Sequence, residues 1–282
     1  MKKAICGTFF PRTWDYEKKF AATKSVGFNG IELNFGVRNC DFSPETTDEE
    51  YAAVVAKAKE AGLELGTLTT NLWAYPITSN FPEKRAEAVE LIKGSLYAAS
   101  KIGAKSVLIV PGYCGVDFLS NPEKINYLDA YNRAVTALNE CKATAEELKV
   151  NLSIENVWNK FLTSPLEMRQ IIDMVNSQYV GSYFDVGNVL VNGYPEHWIE
   201  ILGSRIKAVH FKDFDRNIGN VEGFVDLLKG HVDYTAVMEA FKKIGYDGWV
   251  TAEYGCLETE DDKIIAYLKS IADAMDDILR RV

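Results

Sequence analysis

Short apolar segments rich in β-branched residues recur along the chain, and this recurrence constrains the fold more than any other feature. Most of these segments are continuously apolar rather than alternating, which is typical of strands that are covered on both faces in a parallel sheet. Eight strands are predicted in this way, at 3–9, 30–35, 63–68, 105–111, 150–155, 180–186, 206–211 and 248–254.

Amphipathic helical patterns lie between the predicted strands. In one of them Val89, Ile92 and Leu96 recur on a single face at spacings of three and four residues. Glycine follows at Gly103 and Gly245, where it can end a helix before the next strand. Helices are predicted on these grounds at 48–61, 84–102, 125–148 and 259–281.

Eight strands that alternate with helices over 282 residues predict an α/β fold, a (β/α)8 TIM barrel that forms a single domain over residues 1–282. A doubly wound sheet is the main alternative, but it usually carries a glycine-rich phosphate loop after its first strand. Here the first strand leads into GTFFPRTW, which contains one glycine. No linker or low-complexity tract divides the chain.

Charge and cysteine usage exclude several classes of function. The formal net charge is −9 and the pI is about 5.0, which argues against a nucleic acid partner. Five cysteines, with no pair close in sequence, favour a reducing compartment, so a cytoplasmic location is expected. The apolar run after the first residues is too short for a secretion signal, and no segment is long enough to span a bilayer, so no membrane association is expected.

Four consecutive predicted strands each end on a side chain that can bind a metal ion. These residues are Glu155, Asp185, His210 and Glu253. Neighbouring strand ends are also neighbours in a closed barrel, and the active sites of this fold lie at the carboxyl ends of its strands. The four side chains are therefore expected to converge on one point.

Each of the four residues also has an ordinary structural interpretation. A single glutamate can cap a helix, and a single histidine after an apolar run is more often a hydrogen-bonded core residue than a ligand. Four such residues on four consecutive strands make a shared metal site the better interpretation. Three carboxylates and one imidazole suit Mn²⁺, Mg²⁺ or Co²⁺ better than a thiolate-rich structural zinc site would.

Other polar residues near these strand ends have two interpretations each. Asn188 can bind a substrate hydroxyl or cap the next helix, and Arg216 can bind a substrate oxygen or phosphate or remain a solvated loop residue. Glu32 can reach the pocket or serve as a structural hydrogen-bond partner. Lys212 and Asp213 are expected to include one ion-pair partner rather than two catalytic groups.

Six segments resemble the xylose isomerase-like TIM barrels of the sugar phosphate isomerase and epimerase family. They are GFNGIEL, RAEAVELIKGSLYAASKIGAKSVLIVPG, LSIEN, SYFDVGN, AVHFKDFDR and GYDGWVTAEY, so the resemblance spans nearly the whole chain. Within the family, the chain looks most similar to the ketose 3-epimerases, including those for L-xylulose or L-ribulose 5-phosphate and for D-tagatose.

The resemblance implies a metal-dependent isomerase of carbohydrate metabolism that binds a sugar or sugar phosphate, and it leaves a homo-oligomer open. The four strand-end residues match the metal ligands of the family, and Glu155 and Glu253 match its two acid–base groups. Arg216 matches a substrate-binding arginine, and Asn188 is expected to contact substrate too. One divalent ion is expected as cofactor, with Mn²⁺ first and Mg²⁺, Co²⁺ or Zn²⁺ as alternatives.

One segment departs from the pattern of enzymes that act on free ketohexoses. Those usually carry D-x-x-H, whereas this chain has Asp185-Val-Gly-Asn188, which is closer to the pentulose phosphate branch. An aldose–ketose isomerase or a polyol dehydratase would use the same ligands and remains the alternative function. DNA repair endonucleases of this fold need a histidine-rich zinc cluster, whereas this chain has three histidines. A sugar-binding module without activity also stays open.

Overall fold

Eight parallel strands close into a barrel surrounded by helices in a computed structural model, which describes residues 1–253 and 255–281. The barrel order is β1-β10-β7-β6-β5-β4-β3-β2, so the predicted (β/α)8 barrel is confirmed. The barrel strands are β1 (Lys2–Cys6), β2 (Gly30–Gly36), β3 (Thr67–Asn71), β4 (Ser106–Ile109), β5 (Asn151–Glu155), β6 (Val180–Asp185), β7 (Ile206–Phe211) and β10 (Trp249–Ala252). A short antiparallel ribbon, β8 (Asp213–Phe214) with β9 (Phe224–Val225), follows β7.

The helices cover the outside of the barrel. They are α1 (Tyr16–Ser25), α2 (Asp48–Glu60), α3 (Pro82–Ile102), α4 (Tyr127–Leu148), α5 (Pro165–Val175), α6 (Pro195–Leu202), α7 (Tyr234–Ile244) and α8 (Asp261–Leu279). Short 3-10 turns occur at Gly7–Phe9, Gly187–Val191, Gly203–Arg205 and Val221–Gly223. Over the described ranges 1–253 and 255–281, no helix has both the length and the apolar character needed to cross a membrane.

Local sequence signals begin and end several of these helices. Thr47 and Glu50 form a reciprocal capping box at the start of α2, and the side chain of Asn126 caps α4. Gly103 and Gly245 follow α3 and α7 with φ values of 79° and 70°, the left-handed region that glycine adopts without steric cost. These signals fix where the chain turns back toward the barrel.

The core lies on both faces of the barrel strands. All six residues of β6 are buried, as expected for a parallel strand between helices and barrel interior. Outward residues such as Phe184 and Val209 belong to the large core shared with the helices. Leu108, Tyr183 and Ala208 form a separate cluster of buried residues. Strands packed in this way give rigid support to the side chains at their carboxyl ends.

The third strand lies further along the chain than the prediction of 63–68, since β3 is Thr67–Asn71. Gly66 explains the difference, because a Cβ atom there would lie 2.0 Å from the Trp249 ring. Residues before it make only an isolated bridge, between Gly30 and Glu64. The ring of Trp249 thus fills the space that a side chain at position 66 would occupy.

The first and last barrel strands are shorter than predicted. The prediction of 3–9 ends early because the chain turns into a 3-10 segment at Gly7. The prediction of 248–254 compares with an observed strand of Trp249–Ala252, and its last residue, Tyr254, lies outside the described residues.

Candidate metal and substrate site

Four side chains converge at the carboxyl ends of β5, β6, β7 and β10. They come from Glu155, Asp185, His210 and Glu253, and each offers one ligand atom within 4.8 Å of the others. Three of the side chains are buried, while that of Glu253 is 32% exposed. The structure therefore brings together all four residues that the sequence singled out as a cluster.

Strand register places these residues side by side. Asp185 lies beside His210 across β6 and β7, and the backbone amide of Glu253 donates to the Phe211 carbonyl at 3.1 Å. Asn156 ties β5 to β6, since its side chain donates to the Asp185 carbonyl at 2.7 Å and accepts from the Asp185 amide at 2.9 Å. These bonds hold the four strand ends in fixed relative positions.

The orientation of His210 is set by a buried carboxylate behind it. His210 Nε2 lies 2.8 Å from Glu32 Oε2, and Glu32 also accepts a hydrogen bond from the Tyr183 hydroxyl. Glu32 is fully buried. With Nε2 directed at Glu32, Nδ1 is the ring atom that faces the cluster, an arrangement common for histidine that ligates metal.

Lys212 is the ion-pair partner that the sequence predicted among Lys212 and Asp213, and it lies within the cluster. Its Nζ lies 2.6 Å from Glu253 Oε2 and 3.3 Å from Asp185 Oδ2. The available signal was spacing, because Lys212 is two residues after His210 and so shares its side of the strand. Asp213 instead accepts backbone hydrogen bonds from Phe214, Gly230 and Val232, which makes it a structural anchor of the loop.

The donor set fits a small divalent cation. Within the described residues, Asp185 Oδ2, His210 Nδ1 and Glu253 Oε2 are buried and have no hydrogen-bond partner. Lys212 Nζ is close enough to Asp185 Oδ2 and Glu253 Oε2 to form ion pairs, but these contacts do not have hydrogen-bond geometry. Buried polar atoms normally form hydrogen bonds, so three ligand-type atoms held together only by ion-pair contacts fit the arrangement of a metal site.

The pKa values of the two glutamates are shifted in opposite directions. Burial, with the nearby charges of Glu253 and Asp185, raises the pKa of Glu155 to about 7. Burial also acts to raise the pKa of Glu253, but the Lys212 and His210 charges outweigh it and hold that pKa well below its usual range. One glutamate can thus carry a proton near neutral pH while the other is ionised.

The other charged groups of the cluster are shifted too. Burial raises the pKa of Asp185, partly offset by Lys212. Burial alone would lower the pKa values of His210 and Lys212, but nearby acidic groups raise both well above their usual range. A metal ion entering this site would therefore have to displace protons.

Two adjoining cavities open over the cluster. The smaller, about 220 Å³, is lined by Glu155, Glu253, Asn188 and Lys212 together with aromatic walls. The larger, about 890 Å³, lies over the ends of β1, β2 and β3. The lining residues that they share are Thr69, Thr70, Trp73 and Glu253. Asp185 and His210 line neither cavity, so they lie behind the two glutamates.

The two predicted substrate contacts lie in different places. Asn188 is buried beside the small cavity, its side chain donates to the Asn156 carbonyl at 3.0 Å, and its amide donates to Asp185 Oδ1 at 2.7 Å. Arg216 is exposed on the loop of the β8–β9 ribbon, with its guanidinium 5.4 Å from the centre of the Tyr194 ring. Arg216 does not line either cavity.

The chain belongs to the xylose isomerase-like TIM barrel family, because the model of that family matches residues 20–274. It is 23% identical over 288 residues to a Haemophilus influenzae protein named "Putative L-ribulose-5-phosphate 3-epimerase SgbU", covering 98% of each chain. It is 24% identical over 140 residues to the inosose dehydratase of Lacticaseibacillus casei, covering 44% of this chain and 47% of that one.

Other similarities extend over part of a relative or over the fold alone. The chain is 26% identical to the uncharacterized protein MJ1311 of Methanocaldococcus jannaschii over 60% of its own residues, and it spans 57% of that protein. Among solved structures, a D-psicose 3-epimerase crystallised in the presence of D-fructose superposes with a TM-score of 0.80 at 19% identity, covering 99% of each chain. That likeness shows a shared fold.

Proposed function

We propose that this protein is a divalent-metal-dependent isomerase that epimerises a ketose or ketose phosphate at C3. The observation that carries the proposal is the placement of Glu155 and Glu253. Both line the small cavity, whereas the other two cluster residues, Asp185 and His210, lie behind them. Two carboxylates thus face a substrate-sized space at one charged cluster.

Epimerisation next to a ketone requires two acid–base groups. A proton must leave the carbon on one face and a proton must return on the other. Glu155 ends β5 and Glu253 follows β10, and in the barrel β6 and β7 stand between those two strands. The two carboxylates therefore approach the cavity from different sides, as the reaction requires.

The cluster residues Glu155, Asp185, His210 and Glu253 would hold the metal ion, and Mn²⁺ is the proposed cofactor. A divalent cation in this position would stabilise the negative charge of the enediolate that forms when the proton leaves C3. Asp185 and His210 would serve mainly as ligands. The two glutamates would combine ligation with proton transfer.

The substrate is proposed to be a small sugar rather than a nucleic acid, in keeping with the net charge of −9. The names of the relatives support a ketose, since they include a protein named "Putative L-ribulose-5-phosphate 3-epimerase SgbU" and a structural neighbour that is a D-psicose 3-epimerase. Asn188 is proposed as a contact near the reacting carbons. Arg216 is proposed as a contact for the distal end of the substrate if its loop moves toward the cavity.

A polyol dehydratase is the second candidate, because one relative is an inosose dehydratase. Such an enzyme also removes a proton next to a ketone, but a hydroxyl then leaves instead of a proton returning. The same four ligands would serve either reaction.

Product analysis separates these functions. The protein would be incubated with Mn²⁺ and a panel of pentuloses, hexuloses, their phosphates and inosose. The C3 epimer of one ketose is the expected product. Formation of an aldose would establish the aldose–ketose isomerase instead, and loss of water from inosose would establish the dehydratase.

A further inference from the structure

Lys212 stands inside the charged cluster although no role in the proposed reaction has been assigned to it. Its side chain is 15% exposed, and its ammonium pairs with Glu253 and Asp185 at 2.6 and 3.3 Å. The ammonium also lies 4.8 Å from the centre of the Phe224 ring. Of the described residues that line the small cavity, Lys212 is the basic one.

The surroundings of Lys212 are those of a group directed at a ligand. An ammonium has three donors, and Lys212 forms ion pairs with two carboxylates without hydrogen-bond geometry. Because Lys212 lines the same cavity as Glu155 and Glu253, its ammonium can donate a hydrogen bond to a molecule bound there. The ring of Phe224 covers the ammonium on another side, which reduces its access to water and strengthens its interactions.

The backbone around Lys212 is fitted closely to this position. A Cβ atom on Gly187 would lie 2.6 Å from the Lys212 carbonyl oxygen, so only glycine allows the two segments to approach. The Lys212 carbonyl also accepts a hydrogen bond from the Tyr234 hydroxyl at 3.2 Å. The contacts with Gly187 and Tyr234 therefore fix the position of the Lys212 backbone, from which its side chain extends.

Charge balance gives Lys212 a further reason to be there. The three carboxylates of the cluster, with Glu32 buried behind His210, outweigh the charge of one divalent ion. The ammonium of Lys212 offsets part of this excess negative charge in a largely buried site. When the substrate gains negative charge on losing its proton, the ammonium beside it would add to the stabilisation that the divalent ion supplies.

We propose that Lys212 is a further catalytic residue, whose ammonium donates a hydrogen bond to the substrate oxygen that becomes negative in the enediolate, while its contact with Glu253 orients that carboxylate. The proposal rests on the proposed function. No proton leaves Lys212 in this step: the C3 proton passes to a glutamate, and the ammonium stays charged throughout.

The test compares Lys212→Met, which keeps an unbranched side chain one heavy atom shorter and loses the charge, with Lys212→Arg, which keeps the charge. Lys207→Met is the matched control, since Lys207 lies on the same strand and lines neither cavity. Turnover is measured at saturating Mn²⁺, and Mn²⁺ affinity is measured separately by calorimetry or EPR. Thermal melting checks the fold, with Lys212→Gln as a second neutral variant.

The expected result is a fall in kcat of about 10²–10³-fold for Lys212→Met at saturating Mn²⁺, the usual effect of removing one oxyanion donor. KM should change little, Mn²⁺ should bind at least as tightly, Lys212→Arg should keep part of the activity, and the control should stay within about twofold of wild type. A purely structural ion pair would instead weaken Mn²⁺ binding, and excess Mn²⁺ would restore kcat.

A kcat within about tenfold of wild type for the folded neutral variants at saturating Mn²⁺ overturns the role of Lys212. So does an equal loss in Lys207→Met. Failure of the proposed function looks different, because the wild-type protein itself would then epimerise no ketose in the panel.

Discussion

The two halves of the barrel end in different chemistry. Strands β5, β6, β7 and β10 lead to three carboxylates and an imidazole, which are Glu155, Asp185, Glu253 and His210. Strands β1, β2, β3 and β4 end on neutral residues, which are Cys6, Gly36, Asn71 and Ile109. The larger cavity lies over the neutral half.

The difference indicates a division of labour within one barrel. The charged half has the groups that can bind a metal ion and transfer a proton, while the neutral half offers space and hydrogen-bonding side chains such as Thr69 and Asn71. Substitutions in the charged half should therefore change kcat and metal affinity. Substitutions in the neutral half should change mainly KM and the choice of substrate.

The largest expected effect is on the two glutamates that face the cavity. Glu155→Gln and Glu253→Gln keep the size of the side chain and lose the charge needed for proton transfer, so kcat should fall by about 10²–10⁴-fold. Asn71→Ala, in the neutral half, is the comparison and should change kcat by less than about tenfold. Steady-state kinetics at saturating Mn²⁺ measure both, and equal losses would abolish the distinction between the halves.

Metal ligation should likewise depend mainly on the charged half. His210→Ala should weaken Mn²⁺ binding while thermal melting shows that the fold survives, because a core of this size does not depend on one strand-end residue. Chelation should abolish activity, and Mn²⁺ or Co²⁺ should restore it. Full activity in protein shown by elemental analysis to be free of metal would refute the metal site.

Glu32 sharpens the comparison, because it lies on β2 in the neutral half but supports a ligand of the charged half. Glu32→Gln should lower Mn²⁺ affinity by about 10–100-fold by disturbing the orientation and tautomer of His210. Calorimetry measures the change. Unaltered affinity would mean that the contact between Glu32 and His210 has no influence on the site.

The pH dependence of metal binding tests the electrostatics of the charged half. Burial raises the pKa of Glu155 to about 7, so below that pH the carboxyl is protonated and a metal ion must displace the proton. Apparent Mn²⁺ affinity should therefore fall by at least about tenfold for each pH unit below 7, since the raised pKa values of His210 and Asp185 add to the effect, and it should change less steeply above pH 7. Affinity that is constant from pH 5 to 7 would contradict this shift.

The smallest effect is expected at Arg216. Because its guanidinium lies over Tyr194 and lines neither cavity, Arg216→Ala should raise KM by only a few fold, and more for a ketose phosphate than for the free ketose. A loss of kcat comparable to that of the glutamate variants would place Arg216 at the reacting centre instead.

The barrel and the convergence of four ligand-type side chains could be predicted from sequence because both follow from local patterns. Continuously apolar strands indicate a parallel sheet that is covered on both faces. In a barrel of such strands, a charged residue at the carboxyl end of a strand is expected to lie at the active-site end of the barrel. Glu155 and His210 were found in this way. The shift of the third strand was missed because it depends on Trp249, which is nearly two hundred residues from Gly66 in sequence.

The supporting residues were harder to predict, since their roles depend on contacts between distant strands. Glu32 contacts His210, which is 178 positions away in sequence. The side chain of Asn156 joins two strands through one donated and one accepted hydrogen bond with the Asp185 backbone. One ion-pair partner was predicted among Lys212 and Asp213, and the contacts of Lys212 with Asp185 and Glu253 show that it is Lys212.

The central claim, that the charged half exchanges the proton at C3, is tested most directly by isotope incorporation. The wild-type protein with Mn²⁺ would turn over its best ketose substrate in D₂O, and NMR would locate the deuterium. Deuterium at C3 of both epimers, lost in Glu155→Gln and Glu253→Gln for opposite epimers, is the predicted result. Deuterium at C1 with none at C3 would contradict the claim and establish an aldose–ketose isomerase.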